Sequence, residues 1–220
     1  MRNIEEYKTI VFDCDGVILN SNRIKTEGFE YSVKNFGDEA VKEIKNYHLK
    51  NGGVSRIEKF KYFISNIYPK LDLRYKKISP DINQLLNLYS KYVYDKLLKC
   101  EINFNLKNFK IKTLYSQWMV VSGGSEIEIS KIFLKRKIDK LFELGIFGNP
   151  DDKITILKRE LSKSSVKKPI VYIGDSKYDY ESAKSQNIDF IFLSKWTEVN
   201  EWKIWCDKNK IENYPDFNLI

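Results

Sequence analysis

The chain has 220 residues, 42% hydrophobic and 31% charged, with a formal net charge of +8. That length allows one substantial core with a small second lobe, and no uninterrupted 18-residue apolar run is present to span a membrane. Three scattered cysteines without CxxC spacing suit a reducing cytoplasm, and the single histidine, His48, makes a His-based metal cluster or a Ser-His-Asp triad a poor fit.

The start, MRNIEEYKT, carries acidic residues and no apolar stretch, unlike a signal peptide. The first apolar run is TIVFD (9–13), followed by Cys14, Asp15 and Gly16. Residues 21–98 then read as helical, with patterns in RIKTEGFEYSVKNF, SRIEKFKYFISNIY and DINQLLNLYSKYVYDKLL. The last of these carries a stripe of Leu85, Leu88, Tyr89 and Tyr92, expected to pack as core. Further apolar runs follow at WMVVS (118–122), LGIFG (144–148), PIVYIGD (169–175) and FIFLS (190–194). Helix-like stretches lie between them: SEIEISKIFLKRKIDKLF, KITILKRELSK and YESAKSQN. The tail, with Trp196, Trp202 and Trp205, is expected to form a final helix packing indoles on the sheet.

Apolar runs that barely alternate are strands buried on both faces, so the sheet is parallel. Alternation of strand and helix with right-handed crossovers gives an α/β fold, a doubly wound parallel sheet of Rossmann-like type. About a hundred residues separate the first two strands, too many for one crossover. The expected organisation is therefore a core of residues 1–20 and 99–220 with an inserted α-helical cap domain, 21–98. In such sheets reactive groups gather at the carboxyl ends of strands, where Asp13, Ser122 and Asp175 all fall. Cys14, between two aspartates, is expected to point the other way into the core. The lysines form no basic stripe interleaved with aromatics, so no nucleic-acid partner is expected; a positive field favours an anionic small molecule such as a phosphate ester.

FDCDGVILN, then VVSGG, then a lysine in NPDDK, then IGDSKYD resemble, in order, the four motifs of the haloacid dehalogenase-like superfamily of phosphotransferases. The resemblance covers nearly the whole chain. It implies a type I helical cap and a place in the phosphoglycolate phosphatase and β-phosphoglucomutase-like branch. It also implies that Asp13 is the nucleophile, forming an aspartyl-phosphate, and that Asp15 is the general acid and base. Haloacid dehalogenases proper lack the second aspartate, so its presence favours phosphoryl transfer. The physical logic agrees: a phosphate monoester repels anionic nucleophiles, and Mg²⁺, which favours carboxylate, phosphate and water oxygens, would screen that repulsion. Asp13, the backbone carbonyl of Asp15, and Asp175 are the expected ligands. Asp179 would bind through water or hold the lysine.

By the same resemblance Ser122 donates a hydrogen bond to the phosphate. Gly16 permits a sharp turn, and Gly123 and Gly124 bring backbone N–H groups to the anion at a helix start. Lys153 is the expected phosphate-binding lysine, with Lys158 as the alternative. The stretch LKNGGVSRIEKF (49–60) resembles the specificity loop of β-phosphoglucomutase-like members, which would aim Lys50, Gly53, Ser55 and Arg56 at the substrate. Sugar phosphomutases of this group carry histidine ten residues after the second aspartate; here Lys25 stands there, as a counter-charge in the crevice or a surface residue of the cap. The expected protein is a cytoplasmic, Mg²⁺-dependent phosphatase for a small phosphorylated metabolite, a sugar phosphate by preference, acting as a monomer or small homo-oligomer. A sugar phosphomutase, a non-catalytic binding protein and a nucleic-acid phosphatase are the rival readings.

Overall fold

Six short strands, every pairing parallel, form one sheet in the order β3-β2-β1-β4-β5-β6. A computed structural model describes residues 2–72 and 79–220; residues 73–78, within the expected helical insert, lie outside the described residues. The strands are β1 (Thr9–Phe12), β2 (Gln117–Ser125), β3 (Gly145–Asn149), β4 (Ile170–Gly174), β5 (Asp189–Leu193) and β6 (Glu212–Tyr214). Helices α1 (Asn22–Val33), α2 (Asp38–Lys50), α3 (Arg56–Tyr62), α4 (Ile82–Leu97) and α5 (Leu106–Lys112) all fall between β1 and β2. Helices α6 (Glu126–Lys135), α7 (Lys153–Leu161), α8 (Lys177–Ser185) and α9 (Trp202–Asn209) follow the later strands.

The unalternated strand sequences follow from cores on both sides of the sheet. Successive side chains leave a strand on opposite faces. Ile10 and Phe12 join one core with Trp118, Val120, Val171 and Ile173, covered by α5 and α6 through Phe109 and Phe133. Val11 joins the other with Met119, Val121, Tyr172 and Phe192, covered by α7, α8 and α9 through Ile156, Ala183 and Cys206. Cys14 is buried in the first core, as expected. The insert packs on itself, α1 lying against α2 and α4.

Several elements depart from the sequence-based expectation for physical reasons. On α4 the fully buried stripe is Leu85, Tyr89, Val93 and Leu97, a strict four-residue ladder, so Leu88 and Tyr92 stand only half-buried at its margin. The stretch beginning at α6 does not stay helical to Phe142. Lys137 takes φ 58°, and the Ile138 and Lys137 N–H groups bond back to the Phe133 and Leu134 carbonyls, a Schellman-type stop. Strand β2 runs on through Ser122, Gly123 and Gly124, pairing Ser125 with Asn149 after an irregularity. The glycine pair is therefore strand backbone, and α6 starts only at Glu126, capped by Ser125. The tail helix forms, with the Trp202 ring stacked 5.8 Å from Phe192, but Trp196 stays outside it and β6 follows it.

Close approach of α1 and α4 rests on Gly28. A methyl group there would lie 2.7 Å from Val93 Cγ1 and 3.0 Å from the Tyr89 ring. Helix propensity alone makes Gly→Ala favourable by about 1 kcal/mol. Overpacking instead predicts that Gly28→Ala destabilises by about 1–3 kcal/mol in urea unfolding, and less in a Val93→Ala background. A stabilised Gly28→Ala protein would contradict this packing.

Candidate active site

The strand order reverses between β1 and β4, and a parallel sheet opens a crevice at such a switch point. Asp13 leaves the end of β1, its N–H donating to the Ile173 carbonyl at 2.9 Å, and Asp175 leaves the end of β4. Gly16 turns the chain away with φ +77°, and its N–H donates to the Leu19 carbonyl. A side chain there would run into Asp175 Oδ2 and Asn22 Nδ2, so the position is closed on steric as well as conformational grounds.

Three buried carboxylates meet at this point: Asp13, Asp175 and Asp179 each offer an oxygen within 4.8 Å of the others. Lys153, buried at the first position of α7, holds two of them, its Nζ 2.6 Å from Asp179 Oδ1 and 2.9 Å from Asp13 Oδ1. Lys158 is solvent-exposed on the same helix. Asp179 is fully occupied. Its Oδ1 also accepts from the Tyr172 hydroxyl, and its Oδ2 accepts from the Ser176 N–H and hydroxyl in a capping box. Asp13 differs. Lys153 is close but off the line for a hydrogen bond, and Oδ1 is buried without one. Burial first, then the neighbouring carboxylates against the pull of Lys153, pushes the Asp13 carboxyl up to about 7. Burial and Asp13 also push Asp175 well above the ordinary carboxylate range, despite the hydrogen bond from Asn22 Nδ2 at 2.6 Å. Burial opposes charge on Lys153, yet Asp13 and Asp179 keep it protonated. A hard divalent cation fits this donor set: clustered carboxylate oxygens, one of them orphaned, whose ionisation is otherwise penalised.

Asp15 stands apart from that cluster. Its Oδ1 accepts from the Ser21 hydroxyl at 2.6 Å, and its Oδ2 lies 3.1 Å from Lys25 Nζ. Burial disfavours its charge, but Lys25 and Ser21 outweigh burial and hold the carboxyl below its ordinary range. Lys25 thus reaches the crevice as the counter-charge.

Above the carboxylates is a cleft of about 700 Å³, counted with its open mouth, roofed by the helical insert. Asp13, Asp15, Lys153, Asp175, Gly53, Arg56, Gly123 and Gly124 all line it. Gly53, at φ +81°, turns its loop over the sheet, and its carbonyl sits where a Gly123 side chain would be. Ser122 is fully buried beneath the glycines, its hydroxyl accepting the Gly124 N–H at 3.0 Å.

Two of the residues expected from the cap loop do not arrive. Lys50 lies two positions past His48 on α2, roughly 200° around the helix. His48 therefore takes the buried face with Ala40 and Ile44, while Lys50 opens onto a separate groove beside Tyr47 and Tyr62. Ser55 caps α3, accepting from the Glu58 N–H at 3.2 Å. Arg56 reaches the cleft wall, but its guanidinium is forked onto Glu128 of α6 at 2.8 and 2.9 Å.

The sequence reading missed Asn22, Phe29, Lys59, Tyr89, Ser176 and Glu198, which line the same cleft, and gave His48 no place in it. Lys59 carried one usable signal: with Arg56, Phe60 and Phe63 it follows the three- and four-residue spacing of a single helix face. Glu198 sits in a loop without motif and is placed by tertiary contact alone, accepting from the Thr26 hydroxyl at 3.0 Å.

The haloacid dehalogenase-like hydrolase family matches residues 10–193, and the chain belongs to it, as its motif order implies. The fold is shared with a haloacid dehalogenase-like family hydrolase from Streptococcus pneumoniae, at 14% identity and TM-score 0.67 over 97% of this chain and 96% of that one. It is shared also with a predicted phosphoglycolate phosphatase from Haemophilus somnus, at 18% identity and TM-score 0.70 over 98% and 96%. A third is CbbY from Rhodobacter sphaeroides in complex with phosphate, at 14% identity and TM-score 0.71 over 96% and 95%. No curated protein matches the sequence.

Lys59 supplies a pH signature for the folded state. Burial first, then Lys25 and Lys153, drops its amine from an ordinary 10.5 to about 7, with Asp15 and Glu198 opposing weakly. The unfolded chain therefore binds a proton that the folded chain lacks between about pH 7 and pH 10.5, and stability rises with pH across that window. The stability of the wild type relative to Lys59→Met, followed by urea unfolding, should climb from pH 7 to pH 10. A flat difference would mean Lys59 keeps its ordinary basicity.

Proposed function

We propose that this chain is a Mg²⁺-dependent phosphatase for small phosphorylated metabolites, working through an aspartyl-phosphate on Asp13. The observation that carries this reading is the buried Asp13 carboxylate, whose Oδ1 has no hydrogen bond while Lys153 and Asp175 flank it on the floor of a capped cleft. Asp13, Asp175 and the Asp15 carbonyl are the proposed ligands of Mg²⁺, which when bound screens the phosphate charge from the carboxylate nucleophile. Asp179 anchors Lys153 rather than serving as a ligand, since all its acceptor directions in the site are taken.

In the first half, an Asp13 oxygen attacks phosphorus and the bond to the ester oxygen breaks. Asp15 passes a proton to that leaving oxygen. Lys25 keeps Asp15 ionised in the ground state, so this proton enters with the ester, whose monoanion carries one. In the second half, Asp15 takes a proton from water, which attacks phosphorus and frees Asp13 and inorganic phosphate. Lys153 and the Gly123 N–H face the phosphoryl oxygens, and the Ser122 hydroxyl, whose oxygen accepts the Gly124 N–H, still has its proton to donate. A sugar phosphate is the proposed substrate, the cytoplasm the proposed compartment, and a monomer or small homo-oligomer the proposed state. Residues 21–98 act as the cap, excluding bulk water and large esters. The mutase alternative has nothing specific in its favour, since Lys25, not a histidine, occupies the position beside Asp15.

Phosphate release across a broad panel of phosphorylated metabolites tests the reading. Turnover should appear with Mg²⁺, vanish on chelation and return when Mg²⁺ is restored. Asp13→Asn should lower kcat by about 10⁴-fold or more, as loss of a nucleophile does. Turnover undiminished in Asp13→Asn, or indifferent to chelation, would overturn the mechanism.

A further inference from the structure

The cationic side chains of the cleft are not equivalent. Lys153 is paired with Asp13 and Asp179, Lys25 with Asp15, and Arg56 with Glu128. Lys59, on α3, is the exception. It is 2% exposed, and among the described residues it forms no ion pair. Among the described residues its only hydrogen-bonding contact is with a neutral group, His48 Nδ1, at 2.7 Å. The Phe29 ring lies 5.3 Å from the amine, an apolar wall that offers no carboxylate.

A buried lysine without a counter-charge must either give up its proton or hold it at a cost, and proteins rarely keep one without use. His48 cannot neutralise it. Burial and the charges of Lys59 and Lys25 hold the imidazole well below its ordinary basicity, so it stays neutral. Accepting at Nδ1 from Lys59, the ring carries its proton on Nε2, which points toward Glu198 Oε2 at 4.0 Å. That fixes the ring and aims Lys59. Both side chains line the cleft that holds Asp13. The floor carboxylates would repel any anion except through the cation and Lys153, whereas at the Lys59 end the lining carboxylate, Glu198, lies beyond the His48 ring and forms no ion pair with the amine.

We propose that Lys59, oriented by His48, is the seat for a second anionic group on the organic part of the substrate, so that preferred esters carry a carboxylate or a second phosphate. This rests on the reading of the cleft as a phosphate ester site, and it narrows the substrate class within that reading. Arg56, already forked onto Glu128, lines the same wall without a free fork to offer. Lys59 is a specificity residue here and takes no part in the bond changes at phosphorus.

Three esters of one size decide it: glycerol phosphate, phosphoglycerate and the bisphosphate of propanediol, which present hydroxyls, a carboxylate and a second phosphate. Their binding to the non-turning Asp13→Asn protein with Mg²⁺, read by titration calorimetry, should favour at least one anionic tail by about tenfold or more over glycerol phosphate. The favoured tail tells carboxylate from phosphate. Adding Lys59→Met should erase the preference, and in the wild-type background the same change should raise KM for the anionic ester far more than it lowers kcat. Equal affinity for all three esters, or a preference that survives Lys59→Met, overturns the inference. The Asp13→Asn comparison decides this even if the lysine variant fails to fold. Turnover of the same esters by the wild type is read separately: its absence would count against the phosphatase reading, while the binding order would still decide the role of Lys59.

Discussion

A buried ammonium shared by two buried carboxylates fixes the geometry on which the rest of this protein depends. Lys153 enters from α7, Asp13 from the end of β1 and Asp179 from the first turn of α8. Tyr172, from the middle of β4, and Ser176, the cap of α8, complete the shell around Asp179. Removing these charges from water is expensive, and the attraction offsets the cost only in good geometry with the remaining lone pairs bonded. Asp179 meets that condition and Asp13 does not. The network is satisfied on the side that anchors it and left incomplete on the side facing the cleft, which is how a site differs from a purely structural ion pair.

The helical insert completes the site from above through a few contacts. The Gly53 carbonyl rests on Gly123, and the Arg56–Glu128 fork joins α3 to α6, with the guanidinium 5.3 Å from the Tyr89 ring. Glycine at 123 permits the approach, because any side chain there would keep the loop off the sheet. The result is a cleft enclosed by packed side chains, among them the ion-paired Arg56 and the unpaired Lys59. Electrostatic terms are stronger in such low-dielectric surroundings, both the attractions that hold a phosphate and the penalties on unpaired groups.

The sheet was legible in the sequence because β1, β2, β4 and β5 are buried on both faces, leaving apolar strings with no competing helical period. The carboxylates of the candidate site were legible too: Asp13, Asp15, Asp175 and Asp179 lie within a few residues of strand ends, where local sequence decides position. Legibility fell off where position is set by tertiary contact. The half-exposed strand β6, Glu-Asn-Tyr, has no apolar signature, and its pairing with β5 comes from the chain returning after α9. The stretch expected to form a specificity loop was read two contacts too literally. Helical phase turns Lys50 away, capping takes Ser55, and Lys59, which lines the cleft together with Gly53 and Arg56, looks like any surface lysine until Phe29 and His48 are packed against it.

That division has a physical origin. Chemistry at phosphorus needs groups held rigidly, and strand ends at a switch point supply that rigidity with short, locally encoded motifs. In the proposed reading, recognition of the rest of the substrate falls to helices that pack through ordinary apolar faces. A lysine on such a face is destabilising in the empty protein, since its charge is lost or unpaired there. A bound anion that restores the charge would return that free energy as affinity, so the stability given up at Lys59 and the selectivity proposed for it are two sides of one equilibrium.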